Sequence, residues 1–368
     1  MAEYYDILNQ YLREGDKSQA EQAEDWKVAI GLQAVDGLKP SEYLVETARR
    51  NIEGEIDMED VRRLLHQYYE SKTARTPEDD DKEECDKASA NIKKILATRT
   101  LAFNTNGYIA MHRRIFEGVF KHAGTLRKYD ITKKEFVLRG DTVNYLNWED
   151  LRRAIDYDLQ QERDFSYKGL SDTEKIQRLC RFTAGLWQIH AFCEGNTRTT
   201  AVFLIQYLRS IGYRNVNNDM FADNSWYFRN ALVRANYKNT RLGVDYDFSF
   251  LELFFRNLLL GETNPLKNRT MVINAPEEWN STQESTQETS LSTRESTQET
   301  PLSTQEATSE RIIEAIRLKP TTTRRELAEV IGISPDGIKK QLDKLRKAGI
   351  IRHEGSTKAG KWIILNQQ

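Results

Sequence analysis

The chain is expected to be mainly α-helical, with one short β-hairpin and a separate small module at its C-terminal end. Three observations predict this. Apolar residues recur at helical spacing through most of residues 4–260. EFVLRGDTVNYL at 135–146 sets two short apolar runs around Arg-Gly-Asp, the pattern of a hairpin with glycine in its turn. The stretch 281–310 reads STQESTQETSL, STRESTQETPL, STQEATSE, an eleven-residue unit used twice and then truncated. With so little to bury it cannot offset the entropy of folding, so it predicts a linker.

Residues 4–70 read as helices. Val61, Leu64, Leu65 and Tyr68, for example, fall at helical spacing after the turn GEIDMED. TARTPEDDDKEE at 73–84 reads as a polar, acidic loop. Residues 90–125 look helical again, through Ile109, Ile115, Phe116 and Phe120. Past the hairpin, helical patterns fill 149–163, 173–189 and 198–212, and return at 225–260. The expected divisions are an N-terminal helical region at 1–89, a helical core at 90–265, a linker at 266–308 and a tail module at 309–368.

The tail has its own rhythm. ERIIEAIRLK turns Ile312, Ile313 and Ile316 inward, TTRRELAEVIG opens on a threonine cap, and SPDGIKKQLDKLRKAG carries Ile338, Leu342 and Leu345 at helical spacing. IIRHEGSTKAGKWIIL then alternates around glycines. Three helices and a hairpin resemble a winged helix-turn-helix. Lys339, Lys340, Lys344 and Lys347, with Arg352, Lys358 and Lys361, suit DNA phosphates.

Net charge excludes a whole-chain basic field. The 368 residues sum to −2, but residues 309–368 hold 13 Lys/Arg against 7 Asp/Glu, net +6, which leaves −8 for the rest. Cys85, Cys180 and Cys193 are too few and too scattered for a disulfide framework or a four-cysteine zinc site. The N-terminus shows no apolar signal core, and no run of about 18 apolar residues occurs. A cytoplasmic protein with no membrane partner is expected.

The chemistry is concentrated in HAFCEGNTRTT at 190–200. Apolar helical patterns flank it, so the second helix starts just after Gly195-Asn196-Thr197. Main-chain N–H groups in such a turn form an anion site, and Arg198 can add a bidentate charge. Glu194 beside a phosphate makes sense if it holds Mg²⁺. His190 then stands across the loop as a general base for an incoming hydroxyl, with Phe192 anchoring the loop in the core.

HAFCEGNTR resembles the signature of the Fic family, His-x-Phe-x-Asp/Glu-Gly-Asn-x-Arg. NGYIAMHRRIFEGVFKHAGTLR at 106–127 is similar to the helix before that family's β-hairpin flap, and SWYFRNALVRANYKN at 225–239 to its nucleotide-side helix. The resemblance covers roughly 40–260. It implies a helical Fic fold and transfer of AMP from ATP, with Mg²⁺, to a Ser, Thr or Tyr hydroxyl of a target protein, which can be the chain itself. His190 would be the base and Glu194 the metal ligand. Gly195, Asn196, Thr197 and Arg198 would cradle phosphates, with Thr199 beside them. The flap, at Phe136, Val137, Leu138 and Arg139, would add a strand to the target peptide. Tyr227 or Phe228, with Asn236, would lie near the nucleoside.

Two departures bear on the activity. The fuller motif has a second arginine three residues after the first, where this chain has Ala201, and Ala191 replaces the usual proline. A lost contact to a charged phosphate costs about 1.5–3 kcal/mol. In many members a helix supplies a glutamate that pairs with that second arginine and blocks ATP. RRNIEG at 49–54 resembles this segment and offers Glu53, within a helix around 44–54, either as the inhibitory residue with Arg198 as its substitute partner or as an ordinary helix-end carboxylate. The alternatives are a nucleotide-sensing, DNA-binding regulator with a Fic-like fold, or transfer of phosphate, UMP or phosphocholine. DNA contact through 309–368 and a homodimer both remain open.

Overall fold

The computed structural model describes residues 3–98, 100–213, 218–275 and scattered positions from 312 to 365. The Ser/Thr repeat at 281–310 lies outside the described residues. Two compact units divide near residue 300.

Among the described residues of the first unit are twelve α-helices: α1 (Glu3–Glu14), α2 (Lys17–Gly31), α3 (Glu42–Ile52), α4 (Met58–Glu70), α5 (Pro77–Ala97), α6 (Thr105–Phe116), α7 (Leu151–Arg163), α8 (Asp172–Ile189), α9 (Asn196–Ser210), α10 (Asp219–Asp223), α11 (Ser225–Ala235) and α12 (Ser249–Leu260). Among the described residues no helix is long and apolar enough to cross a membrane. Capping fixes many starts. Asp16, Asp57, Thr76 and Ser171 each accept from the backbone three residues on, and the side chain there returns the bond.

That chemistry overturns the loop expected at 73–84. Thr76 and Asp79 form a capping box, Pro77 occupies the first turn, and Glu78, Asp79 and Asp80 favour the positive end of the helix dipole. The acidic run is therefore the start of α5, and it carries Glu84 toward the interior. Conversely, the helix expected over 90–125 is interrupted. α5 ends at Ala97, and α6 begins anew where Asn104 caps Gly107.

The hairpin expected at 135–146 is also corrected. Phe136–Leu138 form one turn of 3₁₀ helix, and Arg139 (φ 54°) and Gly140 (φ 88°) reverse the chain. No strand forms there, because Val137 and Leu138 are consecutive and both buried, whereas strand geometry would send one outward.

One core runs from Val28 through α5, α6, α8, α9, α11 and α12, with Trp187, Phe192, Phe203 and Phe228 among its buried rings. A smaller one joins Leu8, Trp26, Leu44, Ile52, Val61 and Leu65. The second unit has its own core of Ile312, Ile316, Leu327, Ile338, Leu342, Leu345 and Ile351. Strands β1 (Ile351–Glu354) and β2 (Lys361–Ile364) pair antiparallel there, Ile351 opposite Ile364, as the alternating pattern predicts.

Candidate active site

The loop between α8 and α9 is shaped by two left-handed residues. His190 ends α8 at φ 48°, and Gly195 opens α9 at φ 72°. Gly195 is obligatory on packing grounds too, since a Cβ there would sit 2.2 Å from Phe116 Cζ. A histidine in this conformation costs of order 1–3 kcal/mol, so the fold must hold it. Arg127 does much of this. Its buried guanidinium donates to the carbonyls of His190 (2.8 Å), Ile189 (3.3 Å), Tyr129 (2.7 Å) and Leu146, and its N–H donates to Ala191 O at 3.0 Å.

The His190 ring is 3% exposed, and neither ring nitrogen has a hydrogen-bond partner. Tyr145 packs against it at 4.3 Å between ring centres, and Trp187 meets it edge-on at 5.6 Å. Burial first, then the charges of Lys133, Arg229 and Arg127, hold its pKa well below the ordinary value. The imidazole is thus neutral at pH 7, with a nitrogen lone pair committed to nothing.

Around it lies a polar cover the sequence reading missed. Tyr145 Oη donates to Glu135 at 2.9 Å, and Arg229 grips the same carboxylate at 2.6 and 3.2 Å. Lys133 stands within charge range of His190 and Glu194, and burial, then Arg229, draw its pKa down to about 8.

At the opposite end of the loop, Glu194 is half-buried. Burial and then the neighbouring Glu84 raise its pKa, with Asp36 adding to them against Arg198 and Lys133. Arg198 is fully enclosed. Its Nη2 lies 2.7 Å from Glu84, its Nε 2.7 Å from Asp36, its Nη1 donates to Gln33 at 2.8 Å, and the guanidinium sits 4.7 Å over Phe116. The pairing of Arg198 with Glu53 is not found. Glu53 is the C-cap of α3, an ordinary helix-end carboxylate bonded to Arg49 and Tyr11. Asp36 and Glu84 take the place expected of it.

The remaining predicted residues divide between loop and core. Asn196 braces Phe192 by both its N–H (2.9 Å) and its carbonyl (2.8 Å), Thr197 accepts from Trp187 Nε1 at 2.9 Å, and Thr199 donates to Gly195 O at 2.8 Å. What these residues present to an anion is backbone, the first N–H groups of α9, which have no intrahelical acceptor. The side chains of Tyr227, Phe228 and Asn236 have partners within the fold. Tyr227 Oη donates to Phe250 O at 3.1 Å, Phe228 packs on Phe221 and Phe254, and Asn236 donates to Ala184 O and Leu232 O. The face of α11 turned to the site is that of Arg229. In the flap segment Val137 O accepts the N–H of Ile273 at 2.9 Å. Phe136 lies 6.4 Å from the Trp226 ring, and Arg139 donates to Asn274 O at 3.0 Å. Ala201 is buried in α9, in the helical core.

No three His, Cys, Asp or Glu among the described residues are arranged to bind a metal by themselves. Glu194 offers one carboxylate beside a helix N-terminus, with Glu84 and Asp36 adding negative potential. This fits a hard cation that keeps most of its ligands as water and substrate phosphate.

Residues 102–208 match the Fic/DOC family, and residues 305–352 match a winged helix-turn-helix DNA-binding family. The chain therefore carries a Fic/DOC domain and, after it, a winged helix-turn-helix. A similar crystal structure is that of a Fic family protein from Desulfovibrio desulfuricans G20, 13% identical, with a TM-score of 0.43 over 99% of this chain and 94% of that one. No curated protein matches.

Proposed function

We propose that the Fic/DOC domain is a protein adenylyltransferase, moving AMP from ATP to a hydroxyl of a protein target. The observation that carries this is the buried, neutral, unpartnered ring of His190 at the start of the loop that leads into α9. The target hydroxyl gives its proton to a His190 ring nitrogen as its oxygen attacks the α-phosphorus. The new P–O bond forms while the bond to the pyrophosphate oxygen breaks, and pyrophosphate leaves. N–H groups at the start of α9 receive the phosphate charge without reorganising. Glu194 would hold Mg²⁺, which when bound neutralises phosphate charge. Arg198 joins once phosphate displaces Asp36 or Glu84, and Lys133, within charge range of Glu194, supplies a further cation. The winged helix-turn-helix brings DNA, through its basic residues, as a second partner.

The test is incubation of the full chain, alone and with lysate, with α-labelled ATP and Mg²⁺. Protein labelling that vanishes in His190→Ala supports the reading; no labelling with any divalent metal or lysate rejects it. A second reading follows from the enclosure of Arg198 by carboxylates, a nucleotide-sensing regulator that transfers nothing. It requires DNA binding that responds to ATP and survives His190→Ala.

A further inference from the structure

A second buried histidine packs against the loop from α6. His112, on α6, is 0% exposed and lies flat on Phe192, ring centres 3.7 Å apart and planes 14° from parallel. Its Nδ1 accepts the N–H of Gly124 at 2.8 Å. That acceptance puts the ring proton on Nε2, which then donates to the main-chain oxygen of Glu194 at 3.1 Å.

We infer that His112 is a positioning residue for Glu194 and for the anion cradle. The carbonyl of Glu194 and the N–H of Gly195 belong to one planar peptide, so fixing the oxygen aims the N–H in the opposite direction. The same bond sets the Cα of Glu194 and hence the direction from which its carboxylate leaves the chain. Phe192 is held from two sides, by the His112 stack and by the Asn196 amide, so the segment from Phe192 to Gly195 has little freedom. The anchor at the far side is rigid as well. Gly124 has φ 73° and closes on Arg113, where a Cβ would meet Arg113 Cβ at 2.6 Å. An apolar ring could fill the volume of His112, but a neutral imidazole also accepts on one edge and donates on the other. Removing such a partner behind a metal-binding group typically weakens metal affinity about 10–100-fold.

The inference rests on the proposed use of Glu194, and two amide variants separate the two bonds. Gln places its amide nitrogen where Nε2 lies and keeps the bond to Glu194. Asn places its amide oxygen where Nδ1 lies and keeps only the bond to Gly124. Binding of a fluorescent ATP analogue by the full chain is titrated with Mg²⁺, and thermal melting is recorded on the same samples. The expected result is a half-saturating Mg²⁺ concentration within about threefold of wild type for His112→Gln, and about 10–100-fold higher for His112→Asn and His112→Phe. Gln and Asn variants should melt at similar temperatures, since each keeps one bond. Shifts in Mg²⁺ dependence that simply follow the loss of melting temperature, whichever bond survives, would overturn the inference alone. A wild-type chain that binds no Mg²⁺–nucleotide would remove the reading of the site and this inference with it.

Discussion

Two histidines flank one loop, and their surroundings are opposites. His112 has both ring nitrogens bonded, a stacked neighbour and a fixed tautomer. His190 is almost equally buried, carries a left-handed backbone and has neither nitrogen bonded. Burying a polar group without a partner costs roughly 1–3 kcal/mol. The fold tolerates that cost at only one of the two rings, the one packed against Tyr145 and Trp187. Burial alone does not mark a functional histidine, and neither does one unmet nitrogen, since His122 Nε2 also lacks a partner; His190 is set apart by two unbonded nitrogens on a left-handed backbone.

The sharpest way to break this comparison is to remove the unbonded ring. His190→Asn keeps a residue that accepts φ near 50° but deletes the base. Transfer should fall about 10²–10⁴-fold, with the melting temperature unchanged or higher. Unchanged turnover by α-labelled ATP would make His190 merely structural.

A second effect concerns Arg198. Replacing both its carboxylate partners, Asp36→Asn with Glu84→Gln, should tighten nucleotide binding by about tenfold, the scale of one hydrogen bond to a charged group, while lowering the melting temperature. Glu53→Gln should change neither. Titration with a fluorescent nucleotide checks both, and the assignment fails if Glu53→Gln is the variant that tightens.

The pH dependence follows from His190. Its folded pKa lies well below 6.5, so the unfolded chain binds the proton more readily, and stability is lost as pH falls through the unfolded value. Melting should drop between pH 7.5 and 5.5, and by less in His190→Asn. For the same reason kcat/KM should show no loss of this base near pH 6.5. A kcat/KM limb at 6.5 that disappears in the variant would contradict the buried, neutral ring.

The smallest change is Tyr145→Phe. It deletes one 2.9 Å bond to the buried Glu135 and keeps the ring over His190. Stability should fall by about 1 kcal/mol in denaturant unfolding, with transfer retained.

Much of the site was legible because it is local. The apolar periods before His190 and after Arg198 fixed two helices, and Gly195 between them fixed the turn. What the sequence hid is long-range or depends on which face of a helix is turned inward. Arg198 meets Gln33 and Glu84, 165 and 114 positions away, and no spacing rule connects them. The loop expected at 73–84 hid the helix that carries Glu84, although Thr76-Pro77 with Asp79 was a readable capping signal. In α11 the aromatic pair Tyr227-Phe228 drew attention as a ligand face, but aromatic rings gain more from the core, and the charged Arg229 faces the site. His112 sits in line with Tyr108, Met111 and Ile115 along the buried stripe of α6, and a histidine in such a stripe was the available signal for it. The hairpin expected at 135–146 does not form because two short apolar runs around a glycine suggest strands, while Val137 and Leu138 are both buried.

The most direct measurement is the intact mass of the full chain and of a lysate target after incubation with ATP and Mg²⁺, for wild type and His190→Ala side by side. The account predicts a gain of one AMP unit on a hydroxyl-bearing residue in the wild-type reaction and none in the variant. Equal gain in both reactions, or none in either, would contradict it.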